Sequence, residues 1–201
     1  MSDLDVIDAL AGLAPDSPLA VIRDRKPITR QQAQTSFAAL FEGATTDVTQ
    51  QERFVLATFV AGLHARPEIS AFYTAGLTGT SPPQSLVSAL AAEIVLGRAA
   101  GPYGAYPKGP LSAEDVTGPI YQVAEQHRAA LGGKLTAALA HVHMLVFHPR
   151  DANPAAIQHL LDAGWSNSGI VTLSQLVAFL AFQIRAAVGL RVLAATRRSI
   201  P

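Results

Sequence analysis

The sequence has no cysteine among its 201 residues. That absence excludes disulfides, zinc-thiolate sites, iron-sulfur clusters and any catalysis by a thiol. Charged residues are also few: 15 basic and 15 acidic side chains cancel, and no run of like charge occurs. Such a surface offers no electrostatic footprint for nucleic acid or for an anionic membrane, so neither is expected as a partner.

An export signal and a membrane-length apolar run are also missing from the sequence. The amino terminus, Met1 to Asp8, is acidic and lacks the basic and apolar regions of a secretory signal. The longest apolar run, residues 169–184, is interrupted by polar side chains and is shorter than the roughly 20 apolar residues that cross a bilayer. We expect a buried helix there and a cytoplasmic location.

What the chain does have is apolar residues at helical spacing. Hydrophobic residues make up 49% of the sequence, and alternation with a period of two is scarce, so the pattern predicts an all-α fold. The length suits a single domain over residues 1–201. The apolar content is high for a lone monomer, and we therefore predict a homo-oligomer, at least a dimer.

Local signals divide the chain into helices. Thr49 and Glu52 have the spacing of a capping box, and Pro67 suits the first position of a new helix, which places a break across residues 62–66. The predicted elements are a short helix on Leu4, Ile7 and Leu10; a connector from Ala14 to Pro27; helices from Thr29 to Gly43, from Thr49 to the break, from Pro67 to about Gly76 and from Ser81-Pro-Pro-Gln84 to Leu96; an irregular loop from Gly101 to Pro110; helices over Ser112 to Ala130 and Lys134 to Phe147 around Gly132-Gly133; a short helix capped by Asn153 and ended by Gly164; and a long last helix from Ser166 or Ser168.

Two segments, Thr49 to Leu77 and Asn153 to Leu193, resemble the alkylhydroperoxidase D and carboxymuconolactone decarboxylase (CMD) superfamily. In that superfamily a helix that opens with Glu runs into Cys-x-x-Cys and a following His. The resemblance covers residues 35–195 and leaves 1–34 as an amino-terminal extension. It implies an alkylhydroperoxidase-like helical bundle with a long carboxy-terminal core helix and a tendency to oligomerise.

The redox motif of these proteins is absent in either alignment register. Anchoring on Glu52 puts His64 and Pro67 at the cysteine positions and Ala71 at the histidine position. Anchoring on Thr74 to Leu77 instead puts Arg66 and Ile69 at the cysteine positions and Phe72 or Tyr73 at the histidine position. Since the peroxidase reaction needs a thiolate and a resolving thiol, thiol peroxidase activity is not expected.

The superfamily also contains decarboxylases that work without a cysteine pair, and the resemblance leaves this chemistry open. Glu52 is then a candidate base or orienting group, His64 a candidate acid or base, Arg66 a candidate carboxylate receptor and Tyr73 a candidate proton donor. Structural roles compete with each: Glu52 as a helix cap, His64 and Arg66 as solvated groups at helix ends, and Tyr73 as a packed aromatic. Glu52 and His64 can cooperate only if the break at 62–66 brings them together.

The expected ligand is a small organic acid, and no cofactor is expected. The alternative function is a non-catalytic binding or scaffold subunit that partners a cysteine-bearing relative of the same fold.

One histidine cluster occurs, at His141, His143 and His148. On a helix, residues two apart point in different directions, so a metal would need further ligands such as His127 or Asp151. We therefore predict no metal site, and favour histidines that flank a buried stripe. The loop from Gly101 to Pro110 is either a lid or an arm that reaches another subunit; the arm is favoured, because Tyr103 and Tyr106 suit interfaces.

Overall fold

The computed structural model describes residues 5–43 and 47–198, and this part of the chain is all-helical. It contains no strand, and its only ladder-like contact is an isolated bridge between Gly104 and Val116. The all-α prediction is confirmed. The helices are α1 (Val6–Ala11), α2 (Pro18–Asp24), α3 (Pro27–Phe41), α4 (Gln50–Leu63), α5 (Pro67–Gly79), α6 (Gln84–Leu96), α7 (Glu125–Phe147), α8 (Pro154–Asp162) and α9 (Asn167–Arg198).

The chain forms two compact units. One comprises Met1–Ala44 with Phe179–Pro201, and the other comprises Thr45–Ala178. The long helix α9 therefore supplies residues to both. The assignment of 1–201 to a single CMD-like domain stays a prediction.

A buried ion-pair cluster organises the first unit. Asp5 caps α1 by accepting hydrogen bonds from the backbone of Ile7 and Asp8, and its carboxylate also lies 2.9 Å from Arg23 and 3.2 Å from Arg30. Both arginines also pair with Asp8. Burial opposes the charge on Asp5, but these hydrogen bonds and the nearby guanidinium groups hold its pKa below the usual value. The cluster fixes α1 against α2 and α3.

In the second unit, α4 is the central helix. The Thr49–Glu52 capping box is formed as predicted, and every residue from Val55 to Leu63 is buried. The backbone of α4 approaches α6 so closely at Gly62 that a Cβ atom there would lie 2.5 Å from the side chain of Ile94. Glycine at this position is required by the approach of the two helices.

Several predicted boundaries agree with the structure. Pro67 is the first residue of α5, the side chain of Asn153 caps α8 by accepting from Ala156, and Gly164 follows α8 with a φ of 92°. The predicted first helix is present as α1, although Leu4 lies outside the described residues. Ser81 was expected to cap α6, which was wrong: the helix follows Pro83 without a side-chain cap.

Two further predictions were wrong. The connector from Ala14 to Pro27 contains α2, which opens with a Ser17 cap and Pro18. The helix predicted from Ser112 does not form: apart from one 3-10 turn at Pro110–Glu114, the chain stays irregular as far as Ala124. Proline in this segment removes a backbone donor, and Ala124 N–H donates to the side chain of Glu93 on α6.

The loop from Gly101 to Pro110 is irregular, as expected, and it packs on its own chain. Its Gly101–Pro102 peptide bond is cis. Tyr103 N–H donates to the carbonyl of Phe147 at 2.6 Å, and the guanidinium of Arg150 lies 4.0 Å from the ring centre of Tyr106. Both tyrosines assigned to an intersubunit arm are therefore occupied by contacts within the chain.

Two described helices, Glu125–Phe147 and Asn167–Thr196, are long and apolar enough to cross a membrane by length and composition. Buried core helices of soluble proteins have the same properties. The second helix contains the run at 169–184, whose residues Leu173, Leu176 and Leu180 are fully buried.

Gly132 interrupts the helical conformation of α7. Its φ of 74° and ψ of 163° lie in a region that only glycine adopts readily, whereas the adjacent Gly133 has a helical conformation with open space around it. We expect Gly132→Ala to lower the free energy of unfolding by about 1 to 3 kcal/mol. The matched control Gly133→Ala is expected to raise it by about 0.5 kcal/mol.

Urea unfolding followed by circular dichroism measures both effects. Equal stability of the two variants would contradict the assignment of Gly132 as the break in α7.

Candidate functional site

Glu52, the first sequence-predicted site residue, has a structural role. Its Oε2 accepts from Thr49 N–H at 2.8 Å, and its Oε1 lies 2.7 Å from the ammonium of Lys134. The same ammonium lies 4.5 Å from the ring centre of Trp165. Glu52 therefore joins the start of α4 to the region after the α7 break.

The other three sequence-predicted residues are dispersed. Because α4 is continuous from Gln50 to Leu63, Glu52 and His64 lie at opposite ends of it, roughly 18 Å apart. Arg66 is exposed just before α5, and Tyr73 is fully buried with its ring edge-on to Phe72. The structure does not bring these four side chains into one site.

A cavity of about 510 Å³ lies instead against α7, within the second unit. Its volume falls in the range of small-molecule sites. The cavity takes one wall from α7, a second from the irregular segment before it and a third from the region around α8. The lining residues are Ile120, Tyr121, Gln122, Val123, Arg128, Thr136, Ala137, Ala140, His141, His143, Met144, His148, Asp151, Asn153, Ala156 and His159.

His141 carries the unsatisfied polar atoms of this cavity. The residue is 6% exposed, and neither ring nitrogen has a hydrogen-bond partner within the described part of the chain. Thr136 Oγ1, about one and a half turns earlier on α7, is buried and unpartnered in the same way. Burial lowers the pKa of His141, so its imidazole is neutral near pH 7 and offers one donor and one acceptor.

His143 is the second buried imidazole of the cavity. Its Nε2 lies 2.9 Å from the carbonyl of Gly97, so Nε2 carries the proton, and its ring stacks on Tyr121 with 4.7 Å between ring centres. Burial lowers the pKa of His143, and the nearby His148 acts in the same direction, against the hydrogen bond to Gly97. His143 is therefore a neutral, firmly held ring.

His148 and Asp151 form the charged edge of the cavity. His148 Nδ1 lies 3.0 Å from the Asp151 carboxylate, and Nε2 lies 3.0 Å from the carbonyl of Pro119. These two contacts fix the orientation of the His148 ring. Asp151 also accepts from Ala105 N–H at 3.1 Å, which ties the Gly101 to Pro110 loop to the site.

Arg128 is the cationic lining residue on the first segment of α7. Its only described ion pair is with Glu125, at 2.9 Å, and both side chains of that pair are largely exposed. Exposed pairs of this kind contribute little free energy. Its Nε also donates to the carbonyl of Val123 at 3.4 Å, a long hydrogen bond. The guanidinium can therefore bind a ligand carboxylate at the cost of these two weak contacts.

A buried carboxylate behind the cavity positions its wall. Glu93 is 0% exposed and accepts from Tyr121 Oη, from Ala124 N–H at 3.1 Å and from His127 Nδ1 at 2.5 Å. Burial, together with the Glu93 carboxylate, raises the pKa of Tyr121 well above its usual value. Tyr121 is thus a neutral phenol whose ring is fixed against His143.

The cavity combines two neutral imidazoles, the guanidinium of Arg128, the His148–Asp151 pair and a mostly apolar surface, which suits proton transfer on a small molecule with an acidic group. Among the residues that the structure describes, no three His, Asp or Glu side chains lie close enough together to hold a metal ion. From the sequence, His141 and His148 were assigned to positions flanking a buried stripe. The signal whose meaning was missed is this pair of histidines about two helical turns apart, next to the short turn at Pro149–Asp151.

In comparisons with known proteins, no family model, no curated protein and no solved structure matches this chain.

Replacing Glu52 tests its structural role and separates the effect of the helix cap from the effect of the charge. We expect Glu52→Ala to lower the free energy of unfolding by about 1 kcal/mol, because it removes the capping box and the contact with Lys134. Glu52→Gln keeps an acceptor for Thr49 N–H and is expected to lose less than half as much. Chemical denaturation measures both; equal losses would assign the effect to charge rather than to capping.

The buried histidines make stability depend on pH. Because the folded-state pKa of His141 and of His143 is lowered from 6.5, the unfolded chain binds more protons than the folded chain near and below pH 6.5. Stability is therefore expected to fall as the pH drops from 7.5 to 5.0, by at most about 1.4 kcal/mol per pH unit for each group.

Urea midpoints at pH 7.5, 6.0 and 5.0 measure this loss. His141→Gln, which does not titrate, should lose less stability over the same interval than the wild type. An identical loss in the variant would show that His141 is not protonated on unfolding in this range.

Proposed function

We propose that this protein binds a small organic acid in the cavity beside α7 and carries out thiol-independent acid-base chemistry on it. The observation that carries the proposal is His141, a buried neutral imidazole with two unpartnered ring nitrogens at the cavity. A buried polar group without a partner costs about 1 to 3 kcal/mol, and a ligand that bonds to it offsets this cost.

Arg128 is the proposed receptor for the ligand's carboxylate, and His141 is the proposed base. The unprotonated nitrogen of His141 takes a proton from a substrate carbon or hydroxyl, and the resulting imidazolium returns it. His143 and Tyr121 are positioning residues, because their protons are held by Gly97 and Glu93. This chemistry is of the kind that a decarboxylase-like lyase uses, and it needs no cysteine.

The resemblance of residues 35–195 to the CMD superfamily supports a lyase over a peroxidase. Within this proposal the second unit is a helical bundle of the alkylhydroperoxidase kind, and the acid-base site lies on α7 rather than at Glu52 and His64. The homo-oligomer, the cytoplasmic location and the alternative of a scaffold subunit for a cysteine-bearing relative stay predictions. Co-purification of the tagged protein with such a relative tests the last of them.

Carboxylate binding tests the proposal directly. Isothermal titration calorimetry with butyrate and benzoate is expected to give binding that His141→Ala and Arg128→Ala each weaken about tenfold or more, since each removes a hydrogen bond to a charged ligand. His64→Ala is the matched control, because His64 lies at the end of α4 and lines neither cavity described here. It should bind both acids as the wild type does.

Proton transfer needs a separate measurement. With levulinate in D₂O, the wild type is expected to speed the exchange of protons beside the ketone, followed by ¹H NMR, and His141→Gln should lose this acceleration. Carboxylate affinity that is unchanged in both His141→Ala and Arg128→Ala, or proton exchange that persists in His141→Gln, would rule out the proposed site.

A further inference from the structure

A second cavity, of about 630 Å³, adjoins the first in the same unit. It lies along α7 and α8, takes Ser174 from α9, and its wall is mostly apolar, with Leu145, Ile157 and Leu161 as its large side chains. No residue with a negative charge lines it. No Lys or Arg lines it either, so its polar members, His141, Asn153, Gln158 and Ser174, are neutral side chains, and the rest of the wall offers a surface for hydrocarbon.

His141 and Asn153 line both cavities. The two spaces are therefore in contact with the same imidazole, whose nitrogens have no partner within the described chain. Asn153 is itself committed to capping, because its Oδ1 accepts from Ala156 N–H at 3.0 Å and its Nδ2 donates to the carbonyl of Asp151 at 2.8 Å. His141 is thus the free polar group at the junction.

We propose that the ligand is an acid with an apolar tail, whose carboxylate lies in the first cavity with Arg128 and whose hydrocarbon chain passes His141 into the second. This inference rests on the proposed function and adds the substrate class. The charged side chains of Arg128 and Asp151 line the first cavity, whereas the second is lined by no Lys, Arg, Asp or Glu and has Leu145, Ile157 and Leu161 as its large side chains. Only an elongated, amphipathic molecule contacts both sets at once. Short acids fill the first cavity alone.

Chain length is the direct readout. The affinity of the wild-type protein for butyrate, hexanoate, octanoate and decanoate is measured by isothermal titration calorimetry below the micelle concentration of each acid. Full burial of one methylene strengthens binding about fourfold. Because the second cavity is open on one side, we expect octanoate to bind at least about tenfold more tightly than butyrate.

Ile157→Trp fills the second cavity from α8 and is expected to bring the octanoate-to-butyrate affinity ratio close to one. Val171→Trp is the matched control: it places the same indole in place of an exposed β-branched residue on a neighbouring helix, outside the lining of both cavities. That variant should keep the wild-type ratio. Circular dichroism and urea midpoints confirm that both variants are folded.

The outcomes separate the two proposals. An octanoate-to-butyrate affinity ratio near one in the wild type, or a high ratio that survives in Ile157→Trp, rules out the second cavity as the site of the hydrocarbon tail. Binding of butyrate that depends on His141 would still support the proposed function in that case. If the binding of butyrate and benzoate does not depend on His141, the proposed function is ruled out, and the tail-binding role of the second cavity is ruled out with it.

Discussion

The buried carboxylate of Glu93 is the constraint on which the cavity depends. A charge with no solvent contact is stable only when donors surround it, and here they come from the irregular segment before α7 and from its first turn. Those bonds hold Tyr121 and Val123 where they form a wall, even though the segment has no helical hydrogen bonds of its own. Tyr121 in turn fixes the ring of His143. The wall of the cavity thus depends on a carboxylate that does not itself line the cavity.

The sequence predicted those elements whose signals are local. The capping box of α4, Pro67 at the start of α5 and Asn153 at the start of α8 each depend on residues within three positions of one another, and each formed as expected. The helix predicted from Ser112 failed because the competing interaction joins Glu93 to residues 28 to 34 positions away. The helical spacing of apolar residues carries no information about contacts between residues so far apart in the sequence.

The candidate site was missed for a related reason. Glu52 and His64 were grouped through a family resemblance, and their cooperation required the break predicted at 62–66 to bring them together. The break is present between Leu63 and Pro67, but it follows the last turn of α4 and leaves the two residues at opposite ends of that helix. His141 and His148 were noticed in the sequence, but their importance depends on which walls surround them. Those walls come from α8 and from a segment that was expected to be helical. The candidate histidines could therefore be identified from the sequence, whereas the cavity around them could not, because distant segments of the chain form its walls.

Gly132 divides α7 into a first segment that carries Arg128 and a second that carries His141. Arg128 and His141 consequently lie on two helical segments with different directions, which are joined at the backbone of Gly132. A change of a few degrees at that joint alters the span between cation and imidazole without altering any lining side chain. In the proposed site, the distance between the guanidinium of Arg128 and the imidazole of His141 is therefore set by the backbone at Gly132, whereas the chemistry of the two groups is set by their side chains.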